Sequence, residues 1–422
     1  MTGRVRERRV TRVGAVIGVR RTVIAAACAT VLASVIACRG EQSVGQKAVT
    51  PKSGRPLGPT PLPVAHEVPI DAPVEVPERF LGMHSHRWPG GSSRPPAIRI
   101  GTVRSLNYDP KDNAFGVHWS GIHLAPDRFD WSVLDRWVDT HAEAGRDLVY
   151  TIYGTPAWAS TRPDKPDPYG LKGGASRPAD WGALDRFVRA LVGRYNGQGS
   201  RRIRYVEAWN EPDFPSDYWL DGPADLARLM RVVHQAAKAA DPGITVVWPG
   251  FVNWIDRKET VPRIHTLYRR FAEADDGQGG HGADWGDAIA FHYYATRDDV
   301  RQFVDHQESM LATRTALGRT RMPIVLTEIG FDQSVGDKVP TDNKVALIRR
   351  WIALSAAYGN GFIGLYSYES DTHLANPHGD PRTAAAIDEV GRRVAGATIR
   401  RAALLADDSV WLELGSDATV RI

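Results

Sequence analysis

Cysteine is almost missing from this chain of 422 residues: there are two, Cys28 and Cys38, both near the N-terminus. From residue 39 onward there is therefore no disulfide framework, no thiolate nucleophile and no cysteine-ligated zinc to consider. A strong charge of one sign is also missing. The formal net charge is +4, yet residues 1–37 hold seven arginines against the single Glu7. Setting that +6 aside leaves −2 from Cys38 onward, and a nucleic-acid-binding surface loses its main support. The one long apolar run, residues 22–37, is too short and too rich in alanine for a membrane-spanning helix. What is present is a globular composition, 42% hydrophobic and 24% charged, long enough for one large domain or two to three small ones. Collagen-like, coiled-coil and wholly disordered readings are excluded.

A basic stretch followed by a short apolar core reads as a secretory signal over residues 1–37. It ends Val35-Ile36-Ala37-Cys38, which resembles the lipobox of bacterial lipoprotein signal peptides. That resemblance implies cleavage before Cys38 and a lipid on its thiol, so an exported protein touches a membrane only through its anchor. The plainer reading is a signal cut near Ala37 with Cys38 incidental. Residues 38–75 are rich in proline and glycine and read as a linker that spaces the body from a membrane surface.

From Phe80 the chain alternates short apolar runs with helical periodicity. Strands are expected at 80–84, 97–104, 147–153, 203–209, 244–249, 288–293, 323–327 and 361–366, with helices at 131–144, 181–195, 224–239, 300–317 and 342–358. Asp130 and Asp180 stand as caps before the first two helices. Eight strands with mostly helical crossovers predict an α/β fold, a (β/α)8 barrel over residues 76–392. The link at 87–96 is too short and too rich in proline and glycine for a first crossover helix. An open doubly wound sheet is the alternative, but no glycine-rich phosphate loop follows the first strand. Residues 393–422 read as a short β appendage.

In such a barrel chemistry gathers at the C-terminal ends of strands. Strand four runs to Glu211 and stops at Pro212, which cannot donate a ladder hydrogen bond; strand seven ends at Gly330, just after Glu328. Two glutamates thus point into one opening. A pair of carboxyl groups is what glycosidic cleavage requires: a proton donor for the leaving oxygen and a carboxylate beside the anomeric carbon.

Trp209-Asn210-Glu211-Pro212, with Thr327-Glu328-Ile329-Gly330 following, resembles clan A glycoside hydrolases. Thr102-Val103-Arg104, Arg128-Phe129-Asp130-Trp131 and the run 150–160 narrow the likeness to glycoside hydrolase family 39, which includes β-xylosidase-like enzymes and bacterial exopolysaccharide hydrolases. The resemblance implies Glu211 as acid/base and Glu328 as nucleophile of a retaining hydrolase acting on a poly- or oligosaccharide. It also implies Asn210 on the sugar 2-hydroxyl, His292 and Tyr294 lining the site, and Arg104 holding the pKa of Glu328 low. Trp158 is a candidate stacking platform, and strand eight offers Tyr366 or Tyr368 where the family often has tryptophan.

Two rivals remain at this stage. His84-Ser85-His86 with His292 and Asp371 mimics amidohydrolase barrels, but the fourth and fifth strands supply neither histidine nor lysine, so no metal is expected. No cofactor is expected either. A lipid-tethered carbohydrate-binding protein on the same barrel is the non-catalytic alternative.

Overall fold

The computed structural model describes residues 62–422 apart from 90–95, 109–115, 198–200, 215–216 and 253–267. Eight parallel strands close into a barrel. Strands one to four are Leu81–His84, Thr102–Arg104, Asp147–Thr151 and Ile203–Glu207. Strand five is split into Thr245–Val247 and Phe251–Val252; strands six to eight are Ile289–Ala295, Ile324–Phe331 and Ile363–Leu365. Each pairs with the next, and strand eight returns to strand one through Ile363↔Leu81 and Leu365↔Met83. The two halves of strand five bridge strands four and six, which completes the circle. All eight expected strands are present, and the (β/α)8 barrel is the fold.

The helices form where amphipathic spacing meets a cap. Trp181–Arg194 starts at Asp180, whose side chain accepts from Gly182 N, and buries Leu184, Phe187, Val188 and Leu191. Val300–Ala316 is capped in the same way by Asp299. Pro223–Ala240 and Thr341–Ala357 complete the expected set. The helix Ser132–Glu143, expected over 131–144, buries Leu134, Trp137, Val138 and His141. Pro381–Val394, capped by Asp380, is a further outer helix that apolar periodicity alone did not single out. Among the described residues no helix joins strands one and two.

One boundary moves. The linker expected over 38–75 ends earlier, because Val64–Glu67 and Val74–Glu75 pair antiparallel with Thr398–Leu405. With Val410–Leu414 and Thr419–Arg421 they make a five-stranded sheet, so the appendage at 393–422 is built from both ends of the described chain. Its N-terminal strands are too short to show alternation; they form because the strand Thr398–Leu405 offers them a ladder and Val68 and Val76 are buried in the core.

Inside the barrel, Val149, Val247, Ala288, Ala290, Val325 and Phe362 form a buried apolar layer. It is a packed floor rather than a pore. Arg104, Thr151, Glu207, His292, Thr327 and Glu328, from strands two, three, four, six and seven, are also buried and form a polar layer. The candidate site rests on it.

Candidate active site

Glu207 anchors the polar layer. Its Oε2 accepts from Arg104 Nε at 2.9 Å, Arg104 Nη2 at 2.6 Å and Thr151 Oγ1 at 2.7 Å; its Oε1 accepts from Thr327 Oγ1 at 2.6 Å. A carboxylate so surrounded has no capacity left for chemistry and serves to aim Arg104. That arginine also donates to Asn210 Oδ1 at 2.8 Å and to Glu328. Tyr294 donates its hydroxyl to the other oxygen of Glu328.

Thr327 and Glu328 are adjacent in a strand, where side chains alternate, yet both reach this one cluster. The reason is a bulge: Phe291 pairs with Leu326 and His292 with Glu328, leaving Thr327 as an extra residue. A bulge of this kind re-aims a side chain. His292 and Tyr294, two apart on strand six, do share a face, and both touch the carboxyl pair.

Glu211 lies past the end of strand four with φ +44, a left-handed backbone that non-glycine residues rarely hold. Gly250 O holds its N–H at 2.8 Å, and its carbonyl accepts from Phe214 N at 3.0 Å. The result directs the carboxyl back over the barrel, where Oε1 meets Nδ1 of His292 at 2.8 Å. Glu211, His292 and Glu328 each bring one donor atom within 4.8 Å of the others. Such a trio has the donor types of a cation site, but the Arg104 guanidinium bonded to Glu328 already supplies the positive charge.

The two carboxyl groups are driven apart electrostatically. Burial, then the charges of Glu328 and Asp213, push Glu211 well above the usual carboxylate range. Burial also raises Glu328, but Arg104 and the Tyr294 hydroxyl pull it back. The expectation that Arg104 keeps the Glu328 pKa low therefore needs correction: desolvation outweighs the ion pair, and the net direction is upward. What Arg104 secures is the order of the two, with the proton on Glu211 and the charge on Glu328. Burial and Arg104 together hold His292 well below its usual value, so it is a neutral imidazole.

Above the pair lies a cavity of about 190 Å³ lined by Asn210, Glu211, Tyr294, Glu328 and Tyr366 together with Asn107, Tyr169, Phe214, Tyr218, Gln333 and His373. Tyr366 directly follows strand eight, edge-on to His84 and Tyr294. Tyr169 and Tyr218, ring centroids 5.2 Å apart, come from the loops after strands three and four. Sequence reasoning missed them because aromatic residues in proline- and glycine-rich loops carry no periodicity. Trp158 does not join the site: 37% exposed, it is edge-on to His123 and donates to that residue's carbonyl. His84 and His86 pack against Tyr366 and each other, apart from the carboxyl pair. Cys38 and residues 1–37, where a signal is expected, lie outside the described residues.

Gly250 is required by this packing. A Cβ there would strike the His292 imidazole and stand 2.7 Å from Glu207 Oε1. Gly250→Ala is expected to lower turnover by roughly 10²-fold through displacement of these groups. Unchanged kcat in that variant would show that His292 is not held where the geometry places it.

No protein-family model matches the chain, and no curated protein matches it by sequence. Solved structures do share its fold. A glucosidase from Croceicoccus marinus is 15% identical over 81% of this chain and 76% of that one, with a TM-score of 0.52. A GH30 endoxylanase from Clostridium papyrosolvens C71 is 15% identical over 83% and 82%, with a TM-score of 0.51. A family 39 glycoside hydrolase from the gut symbiont Bacteroides cellulosilyticus WH2 is 15% identical over 82% and 69%, with a TM-score of 0.50. At such identity the likeness is one of fold.

Proposed function

We propose that this protein is a retaining glycoside hydrolase that cleaves an O-glycosidic bond of a poly- or oligosaccharide by double displacement. The observation that carries the reading is the carboxyl pair itself. One oxygen of Glu211 and one of Glu328 lie within 4.8 Å of each other, an approach that suits the close carboxyl pair of retaining enzymes, about 5–5.5 Å between the groups, better than the about 6.5–9.5 Å of inverting ones. Glu328 attacks the anomeric carbon while Glu211 gives its proton to the leaving oxygen, and a glycosyl ester forms on Glu328. Glu211, now ionised, takes a proton from water, whose oxygen attacks the anomeric carbon and frees Glu328. Esterification removes the Glu328 charge that added to burial in raising Glu211, so the Glu211 pKa falls and the residue stays ionised to serve as the base. The resemblance to clan A and family 39, and the sugar-cleaving neighbours that share the fold, agree with this chemistry. A fluorosugar inactivator should label Glu328, and the first-formed product should keep its anomeric configuration. Label elsewhere, or an inverted product, would refute the assignment.

The raised pKa values carry a pH signature. The reaction needs Glu328 ionised and Glu211 protonated, so kcat/KM should be bell-shaped with both limbs above the ordinary carboxylate value of about 4.3. In Glu211→Gln, assayed on an activated aryl glycoside, the alkaline limb should vanish and the acidic limb remain. Stability follows the same sign. Glu211 holds its proton more tightly folded than unfolded, so its contribution is lost as pH rises through its folded pKa. Glu211→Gln should therefore gain in Tm relative to the parent as the pH increases. An alkaline limb unchanged in that variant would rule Glu211 out as the acid.

The reading extends to location: export and attachment through a lipid on Cys38, supported by Val35-Ile36-Ala37-Cys38 behind a basic, apolar leader. Labelled fatty acid should enter the protein in a bacterial host, and Cys38→Ala should remove the label. Equal labelling of both forms would leave only a cleaved signal.

A further inference from the structure

Among the side chains of the cavity wall that stand outside the carboxylate network are Asn107, three residues past strand two, and His373, in the short helix Asp371–Leu374 after strand eight. Each is tied from behind so that one polar atom remains for the cavity.

Asn107 has φ +58, a left-handed conformation that asparagine tolerates better than most residues. Its Oδ1 lies 2.8 Å from Nε2 of His118. Burial lowers the His118 pKa to about 3, so the ring is neutral and donates its one N–H through Nε2. The Asn107 amide is thereby oriented, and its Nδ2 is left for whatever enters.

His373 is held in the same manner. Its Nδ1 lies 2.7 Å from the carbonyl of Phe331. A carbonyl only accepts, so Nδ1 carries the proton and Nε2 is the ring atom left over. The imidazole stands edge-on to Tyr294 and Tyr366, with centroids 5.9 and 5.4 Å away, and Tyr294 is the residue that donates to Glu328. His373 therefore faces the same volume as the two carboxyl groups.

We propose that Asn107 and His373 are specificity-determining residues that hydrogen-bond hydroxyl groups of the sugar unit held over Glu211 and Glu328, Asn107 through Nδ2 and His373 through Nε2. The inference rests on the glycoside hydrolase reading above. It follows that the enzyme selects its glycosyl unit by hydroxyl pattern from the strand-two and strand-eight side of the barrel. A site built to bond a hydroxyl discriminates far more sharply against its loss than an apolar wall does against an added group.

The test pairs protein variants with altered substrates, so that a structural role and a recognition role separate. A panel of nitrophenyl glycosides of neutral hexoses and pentoses identifies the best-cleaved sugar, and its monodeoxy analogues follow. His373→Ala and Asn107→Ala should each lower kcat/KM on the parent sugar by about 10- to 100-fold. For each variant there should be one deoxy analogue on which it matches the unaltered protein to within about threefold, since the bonded hydroxyl is already gone. His373→Gln, which keeps a polar atom in reach, should recover part of the loss on the parent sugar only. Equal losses on every analogue, or no loss at all, would overturn the assignment and leave the hydrolase standing. No turnover of any glycoside together with no labelling of Glu328 by fluoroglycosides would instead defeat the hydrolase reading, and this inference with it.

Discussion

Replacing Glu328 with alanine is expected to abolish turnover of every substrate, a fall of roughly 10⁵-fold or more, because no covalent intermediate can form. Glu211→Ala should behave differently. A positioned general acid contributes about 10²–10⁴-fold, so poor leaving groups should suffer by that amount. An activated aryl leaving group departs without a proton, and its first step should largely survive. The second step then lacks its base, and the glycosyl ester should accumulate. Azide is a nucleophile that needs no proton removed, and it should restore flux to Glu211→Ala by releasing a glycosyl azide. It has no such ester to attack in Glu328→Ala. The contrast follows from geometry: Arg104 and Tyr294 converge on Glu328 and favour its charge, while Glu211 faces a neutral imidazole and a neighbouring anion. A glycosyl azide of inverted configuration from Glu211→Ala, or of retained configuration from Glu328→Ala, would exchange the two roles.

The parts of this arrangement that were legible in the sequence are those written in local pattern. Pro212 marks the end of strand four beside Glu211, and Gly330 marks the end of strand seven beside Glu328. His292 and Tyr294 share parity, and strand alternation places them together. The parts that were not legible depend on partners distant in the chain. Thr327 joins the cluster only through a register shift against strand six, which nothing in Ile324–Phe331 announces. Glu207 lies deeper in strand four than Glu211, and nothing in the local sequence marks its role. Its importance appears only when Arg104, 103 residues away, is seen to spend two hydrogen bonds on it. Trp158 shows the opposite error: a loop tryptophan beside a strand end looks like a sugar platform, but the loop carries it to His123. The helix Pro381–Val394 had a readable start in Asp380-Pro381, a cap followed by proline at the first helical position. Apolar spacing alone passed over it.

Loss of Arg104 is expected to damage stability and activity together, and the two effects can be separated. The guanidinium is 2% exposed and is shared among Glu207, Asn210 and Glu328, with Glu207 fully buried and Glu328 nearly so. Arg104→Met would leave two buried carboxylates without their cation. Breaking a buried pair by removing one partner costs about 3–5 kcal/mol, which should appear as a clear fall in Tm. With the guanidinium gone, the Glu328 pKa should rise further, so the acidic limb of the kcat/KM profile should move to higher pH. Arg104→Lys keeps a charge but not the planar fork that meets three residues at once, so it should restore stability better than turnover. Adding Glu207→Gln to Arg104→Met removes the stranded charge and keeps acceptor and donor atoms near Thr151 and Thr327. That double variant should recover much of the lost Tm while remaining poorly active, because nothing then aims or balances Glu328. A double variant no more stable than Arg104→Met alone would mean that Glu207 and Arg104 are not coupled. Recovery of turnover along with stability would mean that Arg104 serves the fold and not the nucleophile.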